Sequence, residues 1–361
     1  MKEAVRKEIL GIKPYVPGKP IEEVKRQLGV RDVIKLASNE NPYGPSPKVL
    51  KAVNREARKL NRYPDGDCYY LRKILAQRLK VNDRQLIFGN GSDELIVLAI
   101  KAFIRKGDEV VIAKPSFLIY DIASRIAGAK VRAVPLKDFH YDLDAMAKAV
   151  SAKTRIVFLG NPDNPSGKYL TARAVRAFLK KIRKDVLVFI DEAYFEFVRA
   201  GDYVDSIGLL RSHANVLVTR TFSKMYGLAG LRVGYGIAHR DVADILNRVR
   251  EPFNVNAVAQ AAAVAALKDH VYYGAIARKI GTQRQYLYRN FDKLNLQYVD
   301  SATNFVLVMV PRRASQVVGK LLKKGIIVRD MGFWGMRDYF RVTIGKAGEN
   351  RRFIQALKEL L

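Results

Sequence analysis

RIVFLGNPDNPSGKYLTARAVRAFLKKIRKDVLVFID, residues 155–191, begins and ends on an apolar run, with turn-forming residues after the first. Short runs rich in β-branched and aromatic residues, bounded by Asn, Pro and Gly, read as strands buried on both faces. The same texture recurs outward from this stretch. Upstream lie QLIFG (85–89), EVVIA (109–113) and KVRAV (130–134); downstream lie NVLVTR (215–220) and RVGYGIA (232–238). Amphipathic stretches separate several of these runs. Leu95, Leu98, Ala99, Ala102 and Phe103, for example, fall on one helical face. Alternation of this kind predicts an α/β fold, a mostly parallel seven-stranded sheet sandwiched by helices.

This large domain is expected over residues 38–258. Beyond residue 255 the pattern changes to an Ala-rich helical stretch (257–267) and a long helical region reaching about Asn290. LQYVDS, NFVLVMV, GIIVRD and YFRVTIG then alternate with helical segments, ending in ENRRFIQALKELL. A smaller α+β domain is expected over 259–361. Residues 1–37 form an N-terminal arm or a segment of that small domain, with a helical start over MKEAVRKEILGIKP.

The chain has 361 residues, 49% of them hydrophobic and 27% charged, the composition of a globular protein. No apolar run approaches the ~20 residues of a membrane helix. The N-terminus lacks the apolar core of a secretory signal, and a single Cys68 cannot form an internal disulfide, so a cytoplasmic enzyme is expected. Sixty-four Lys and Arg against 35 Asp and Glu give a net charge of +29, a field that favours anionic ligands. A basic nucleic-acid-binding protein is the alternative from another class. However, clusters such as KKIRK (180–184) are not interleaved with aromatics as in a single-strand groove, so no specific nucleic acid is expected. The four histidines are scattered, no zinc site or GxSxG elbow is present, and no metal is expected.

RTFSKMYGLAGLRVGYG (220–236) carries the densest chemistry. Lys224 follows a strand inside a loop of small and hydroxyl residues, and Arg232 lies eight positions on. Neither a Walker pattern nor GxGxxG is present. A lysine there is costly to bury unless its amine is used, and Schiff-base chemistry is such a use; the alternative is a surface lysine in a glycine-rich loop. Asp191 ends another strand, and in open parallel sheets ligands bind beyond the strands' carboxyl ends. A carboxylate there suits a pyridine ring nitrogen; alternatively it caps a helix. NPDNPSG (161–167) is turn chemistry that also presents the Asn164 amide. In FGNGSDEL (88–95), Gly91 and Ser92 offer backbone N–H groups at a helix start, a natural phosphate cradle.

Together with PYVPGKPIEEVKRQLG (14–29), LASNENPYGPSP (36–47), RYPDGD (62–67), GNGSDELI (89–96) and DEAY (191–194), these blocks resemble the fold-type-I pyridoxal-phosphate aminotransferases. Within them the resemblance is to the histidinol-phosphate aminotransferase family, from about residue 14 to 346. It implies pyridoxal 5'-phosphate as cofactor and reversible amino transfer between L-histidinol phosphate and 2-oxoglutarate in histidine synthesis. A broad aromatic or aspartate aminotransferase and a threonine-phosphate decarboxylase share the cofactor blocks and are the alternatives. By the same resemblance Lys224 would condense with the cofactor aldehyde and shuttle the substrate proton. Asp191 would pair with the pyridine nitrogen, and Asn164 and Tyr194 would hold the phenolic oxygen. Phe117 would stack on the ring, where the family commonly has tyrosine. Gly91, Ser92, Thr221, Ser223 and Arg232 would bind the phosphate, with Tyr63 reaching it from the other subunit of a homodimer. Arg341 would grip the substrate anion, helped by Arg329, Tyr15 and Asn39. Asp163 and Ser166 stand where the family more usually has Asn and Thr. MGFWGMRD (331–338) places a tryptophan and extra charge beside the substrate arginines.

Overall fold

The computed structural model describes residues 4–311 and 313–361. Its strands in chain order are β1 (Ile34–Lys35), β2 (Leu86–Gly89), β3 (Glu109–Lys114), β4 (Lys130–Pro135), β5 (Thr154–Gly160), β6 (Leu187–Asp191), β7 (Val216–Thr221), β8 (Gly234–Ala238), β9 (Tyr298–Val299), β10 (Phe305–Met309), β11 (Ile326–Ile327), β12 (Arg329–Asp330) and β13 (Tyr339–Thr343). Each of the seven apolar runs identified in the large domain is a strand, within one or two residues at each end.

Those seven strands form one sheet in the order β2-β8-β7-β6-β5-β3-β4. Every pairing is parallel except the two made by β8, which runs against its neighbours β2 and β7. Alternate residues of a strand face opposite sides of the sheet, and here both sides are covered. Val157, Leu159, Val188, Ile190, Val216 and Val218 pack into one core. Ile156, Phe158, Leu187, Phe189 and Leu217 pack into the other. On that second face, Leu95, Leu98 and Ala99 of the helix Ser92–Phe103 are buried together with Ile96 and Ile100, so its apolar face is wider than the five-residue stripe.

Register explains why the site lies where it does. Gly160, at the end of β5, pairs with Asp191, at the end of β6, and Asp191 pairs with Thr219 of β7. Two residues on, Thr221 pairs with Gly234, the first residue of the reversed β8, and Gly234 pairs with Gly89 at the end of β2. The reversal of β8 therefore brings Arg232, just ahead of it, to the edge where the other strands end.

A second, antiparallel sheet runs β12-β13-β10-β9, and β1 pairs in parallel with β11 as a separate two-stranded ribbon. Ile34 sits opposite Ile326, so the segment after the arm is bonded to the C-terminal part of the chain. The helix Ala257–Leu267 lies against the helices Pro47–Glu56 and Tyr69–Leu79. The expected helical start is met in part: among the described residues the α-helix there covers Lys7–Leu10, and residues 12–20 have no regular structure. Pro14, Pro17 and Pro20 lack backbone donors and fix their own φ, which stops the helix within one turn. Among the described residues no helix is long and apolar enough to cross a membrane.

Phe158 is fully buried, stacked on Tyr120 at 4.6 Å and tilted against Phe189 at 5.0 Å. Phe158→Ala is expected to lower the stability of the large sheet by roughly 3–5 kcal/mol, read from denaturant unfolding. A loss under about 1 kcal/mol would mean that this face repacks freely.

Candidate active site

One cavity of about 320 Å³ opens at the carboxyl edge of the large sheet. Tyr15, Asn39, Ser92, Phe117, Asn164, Asp191, Tyr194, Thr221, Ser223, Lys224, Arg232, Arg329 and Arg341 all line it. Of the residues given a cofactor or substrate role in the sequence, only Gly91 and Tyr63 do not. Gly91 sits immediately behind the wall, ahead of Ser92. Tyr63 lies on the surface, 84% exposed and stacked on Phe253 at 4.8 Å.

Asp191 forms the floor. Its carboxyl is buried and receives the Tyr120 hydroxyl at 2.8 Å, the Ala193 N–H at 3.2 Å and the Thr219 hydroxyl at 3.4 Å. Burial pushes its pKa up to about 6, against the Tyr120 hydroxyl, which favours the ionised form. All three donors are neutral, so the carboxyl has room for a cation.

The Lys224 ammonium donates to the Ser38 carbonyl at 3.1 Å and lies 5.7 Å from the Tyr194 ring. The Tyr194 hydroxyl accepts from the Asn39 side-chain amide at 2.9 Å. Asn39 is itself fixed in the left-handed region, φ 56°, because its backbone N–H donates to Thr343 Oγ1 and its carbonyl accepts from Asn304. One buried asparagine thus ties the floor of the large sheet to β13 and to the residue preceding β10.

The phosphate cradle expected at the helix start has the required shape. Gly91 has φ 81° and caps the twelve-residue helix Ser92–Phe103, and a Cβ there would run into the Arg232 guanidinium. Arg232 donates to Ser223 Oγ at 3.2 Å and meets the Asp93 carboxylate at 3.5 Å. Backbone N–H groups, two hydroxyls and a guanidinium therefore converge where the helix dipole favours an anion.

On the opposite side, Arg341 and Arg329 are directly paired across β13 and β12. Arg341 is buried, donates to Asn164 Oδ1 and to the Ala37 carbonyl, and lies 5.0 Å from the Phe305 ring. Its Nε has no partner, and no carboxylate among the described residues is paired with it. Burial pulls its pKa down, as expected for a guanidinium lacking a counter-ion. Buried charges are ordinarily paired, so this side of the cavity is short of an anion.

A buried acid with neutral donors, a glycine cradle with an arginine and a nearby lysine amine fit the expected pyridoxal phosphate: ring nitrogen, phosphate and aldehyde each meet a suitable group. Sequence reading missed Tyr120, Thr219, the Ser38 carbonyl and the hydrogen bonds of Asn304 and Thr343 to Asn39. Thr219 had a signal, since it shares a strand face with Thr221; Tyr120 and the others had none. Asp163 is a buried carboxyl that accepts from the Tyr141 hydroxyl at 2.8 Å and from the Ser166 hydroxyl at 2.7 Å, so the two departures from the family pattern bond to each other.

A family model described as aminotransferase class I and II matches residues 31–357. The chain is 49% identical to the histidinol-phosphate aminotransferase of Moorella thermoacetica, over 99% of this chain and 92% of that protein. It is 45% identical to histidinol-phosphate aminotransferase 2 of Carboxydothermus hydrogenoformans, over 99% of both. The crystal structure of histidinol-phosphate aminotransferase from Sinorhizobium meliloti in complex with pyridoxal-5'-phosphate matches with a TM-score of 0.92 and 29% identity, covering 99% of this chain and 98% of that one.

A cation placed on Asp191 lowers its pKa, so binding is favoured where the carboxyl is already ionised. Affinity of the apoprotein for pyridoxal 5'-phosphate should hold above pH of about 6 and fall about tenfold per unit below it. Titration of the wild type beside Asp191→Asn isolates this step from the cofactor's own ionisations. Identical profiles for the two proteins would remove Asp191 from ring recognition.

Proposed function

The chain belongs to the class I and II aminotransferases, and on that footing we propose that it transfers an amino group reversibly between L-histidinol phosphate and 2-oxoglutarate, as a pyridoxal-phosphate-dependent homodimer. The products are imidazole-acetol phosphate and L-glutamate. The observation that carries this reading is the pairing of Arg329 and Arg341, without a carboxylate between them, in the cavity that holds Lys224. One substrate brings a phosphate and the other two carboxylates. Guanidinium groups accept both kinds of anion through the same N–H edges.

Bound in this cavity, the cofactor supplies an aldehyde carbon that takes up the amino group and a pyridine ring that draws electrons from the carbon losing its proton. Asp191 would hold the ring nitrogen, Asn164 and Tyr194 the phenolic oxygen, and Phe117 the ring face. Gly91, Ser92, Thr221, Ser223 and Arg232 would hold the phosphate. Lys224 holds and moves the proton at the substrate's α carbon, and the Ser38 carbonyl keeps its amine inside the cavity. Arg341 orients the substrate by its anion, with Arg329 alongside and Tyr15 and Asn39 on the flanks. The two strands and the Asn39 bridge limit the freedom of both arginines, which favours a reactive alignment. Tyr63, exposed on the surface against Phe253, supports a second copy of the chain completing the phosphate site.

Lys224→Ala should reduce amino transfer from histidinol phosphate to below roughly one ten-thousandth of wild type while the protein still unfolds cooperatively. Normal turnover would refute the proton role. Arg341→Ala should lower kcat/KM for histidinol phosphate and for glutamate by roughly a hundredfold or more. Equal kinetics in that variant would take the arginine out of the site, and carbon dioxide released from phosphothreonine by the wild type would replace transfer with decarboxylation.

A further inference from the structure

Arg329 is held in an unusual way. Its guanidinium has five N–H donors, and among the described residues it spends one, on the Val16 carbonyl. No carboxylate among the described residues pairs with it. Instead its Cζ lies 5.0 Å from the ring of Trp334 and 5.7 Å from the ring of Tyr15. Aromatic faces attract a guanidinium through its plane and leave its edge donors free. Two rings thus hold the cation in the cavity without consuming the groups that would bind an anion.

Trp334 is itself fixed at both ends. It closes the turn Gly332–Trp334 between β12 and β13, and Gly335, at φ 82°, ends that turn. Its indole N–H donates to the Ser116 carbonyl at 3.1 Å. It is buried in one cluster with Leu307 of β10 and Met331, against which Leu118, at the start of a helix beside the large sheet, and Phe139, in the loop after β4, are packed. Ser116 directly precedes Phe117, the cavity residue that caps the helix Leu118–Ile126. One indole therefore joins the segment carrying Arg329 to the segment carrying Phe117, across the seam between the sheets. Tryptophan is suited to this post: it offers the strongest face for a cation, and its N–H lies at the ring edge, where it can reach a carbonyl while the body stays dry.

We propose that Trp334 is the positioning residue for the anion-binding end of the cavity: it presents the Arg329 guanidinium, edge donors free, at a fixed distance from Phe117, and so sets the affinity for a phosphate-bearing amino donor. The choice of donor rests on the reading under Proposed function. The positioning of Arg329 for a phosphate group does not.

The test uses the holoprotein, whose cofactor phosphate site is filled, with inorganic phosphate as the direct probe. Wild type, Trp334→Phe and Trp334→Leu are titrated with phosphate by calorimetry, and KM and kcat are measured with histidinol phosphate. Phenylalanine retains a face beneath Arg329, whereas leucine does not. Trp334→Leu should raise the phosphate dissociation constant and the KM together by roughly tenfold, with kcat moving much less. Trp334→Phe should stay within roughly threefold of wild type in both. Unchanged phosphate affinity in Trp334→Leu beside a lowered melting temperature would reduce Trp334 to packing and overturn the proposal. An equal loss in both variants would also overturn it, since the face would then not be what holds Arg329. If the wild type turns over some other donor, the functional reading falls, and the phosphate titrations still decide the role of Trp334.

Discussion

A carboxyl sunk at the end of a central strand is the constraint around which this protein is arranged. Asp191 is the last residue of β6, held in register between Gly160 and Thr219, so its backbone cannot retreat towards solvent. Its three hydrogen-bond donors are neutral, and burial raises its pKa. A carboxyl in that position is destabilising unless a cation meets it. The core contributes directly to its setting: Phe158 stacks on Tyr120, and Tyr120 donates to the carboxyl. Packing on one face of the sheet thereby sets the electrostatics at its edge.

The cationic groups complement this floor from the rim. Arg232 reaches the cavity because β8 is reversed, while Arg329 and Arg341 arrive on adjacent strands of the second sheet. The acid and the arginines come from different parts of the chain, and Asn39 and Trp334 span the gap between those parts. Anionic groups entering a cavity of this polarity are drawn to its sides, and the floor favours a cation. A net charge of +29 extends the attraction beyond the cavity and favours encounter with anionic ligands.

Much of this was legible in the chain. The strands of the large sheet announce themselves because burial on both faces makes them continuous apolar runs, as at Val186–Asp191. Lys224, Asp191, Asn164 and Arg232 stand out because each follows or precedes such a run, and the strand edge gathers what the runs end on. Sheet order was not legible, nor was the reversal of β8, since pairing depends on partners far away in sequence. Ile34 finds Ile326, and no local pattern encodes that choice. Tyr120 is one polar position on an ordinary amphipathic helix, and only the stacked Phe158 and the buried carboxyl give it a role. The helical start does not continue past Leu10 because three prolines outweigh the helical character of the residues before them.

The charge state of whatever lies against Asp191 decides whether the buried carboxyl is paired. Nitrogen-15 NMR of the protein reconstituted with ring-labelled pyridoxal 5'-phosphate reads that state directly. A protonated pyridine nitrogen at neutral pH in the wild type, reverting to the neutral form in Asp191→Ala, is the predicted result. A neutral nitrogen in the wild type would contradict the pairing and leave the buried carboxyl without a partner.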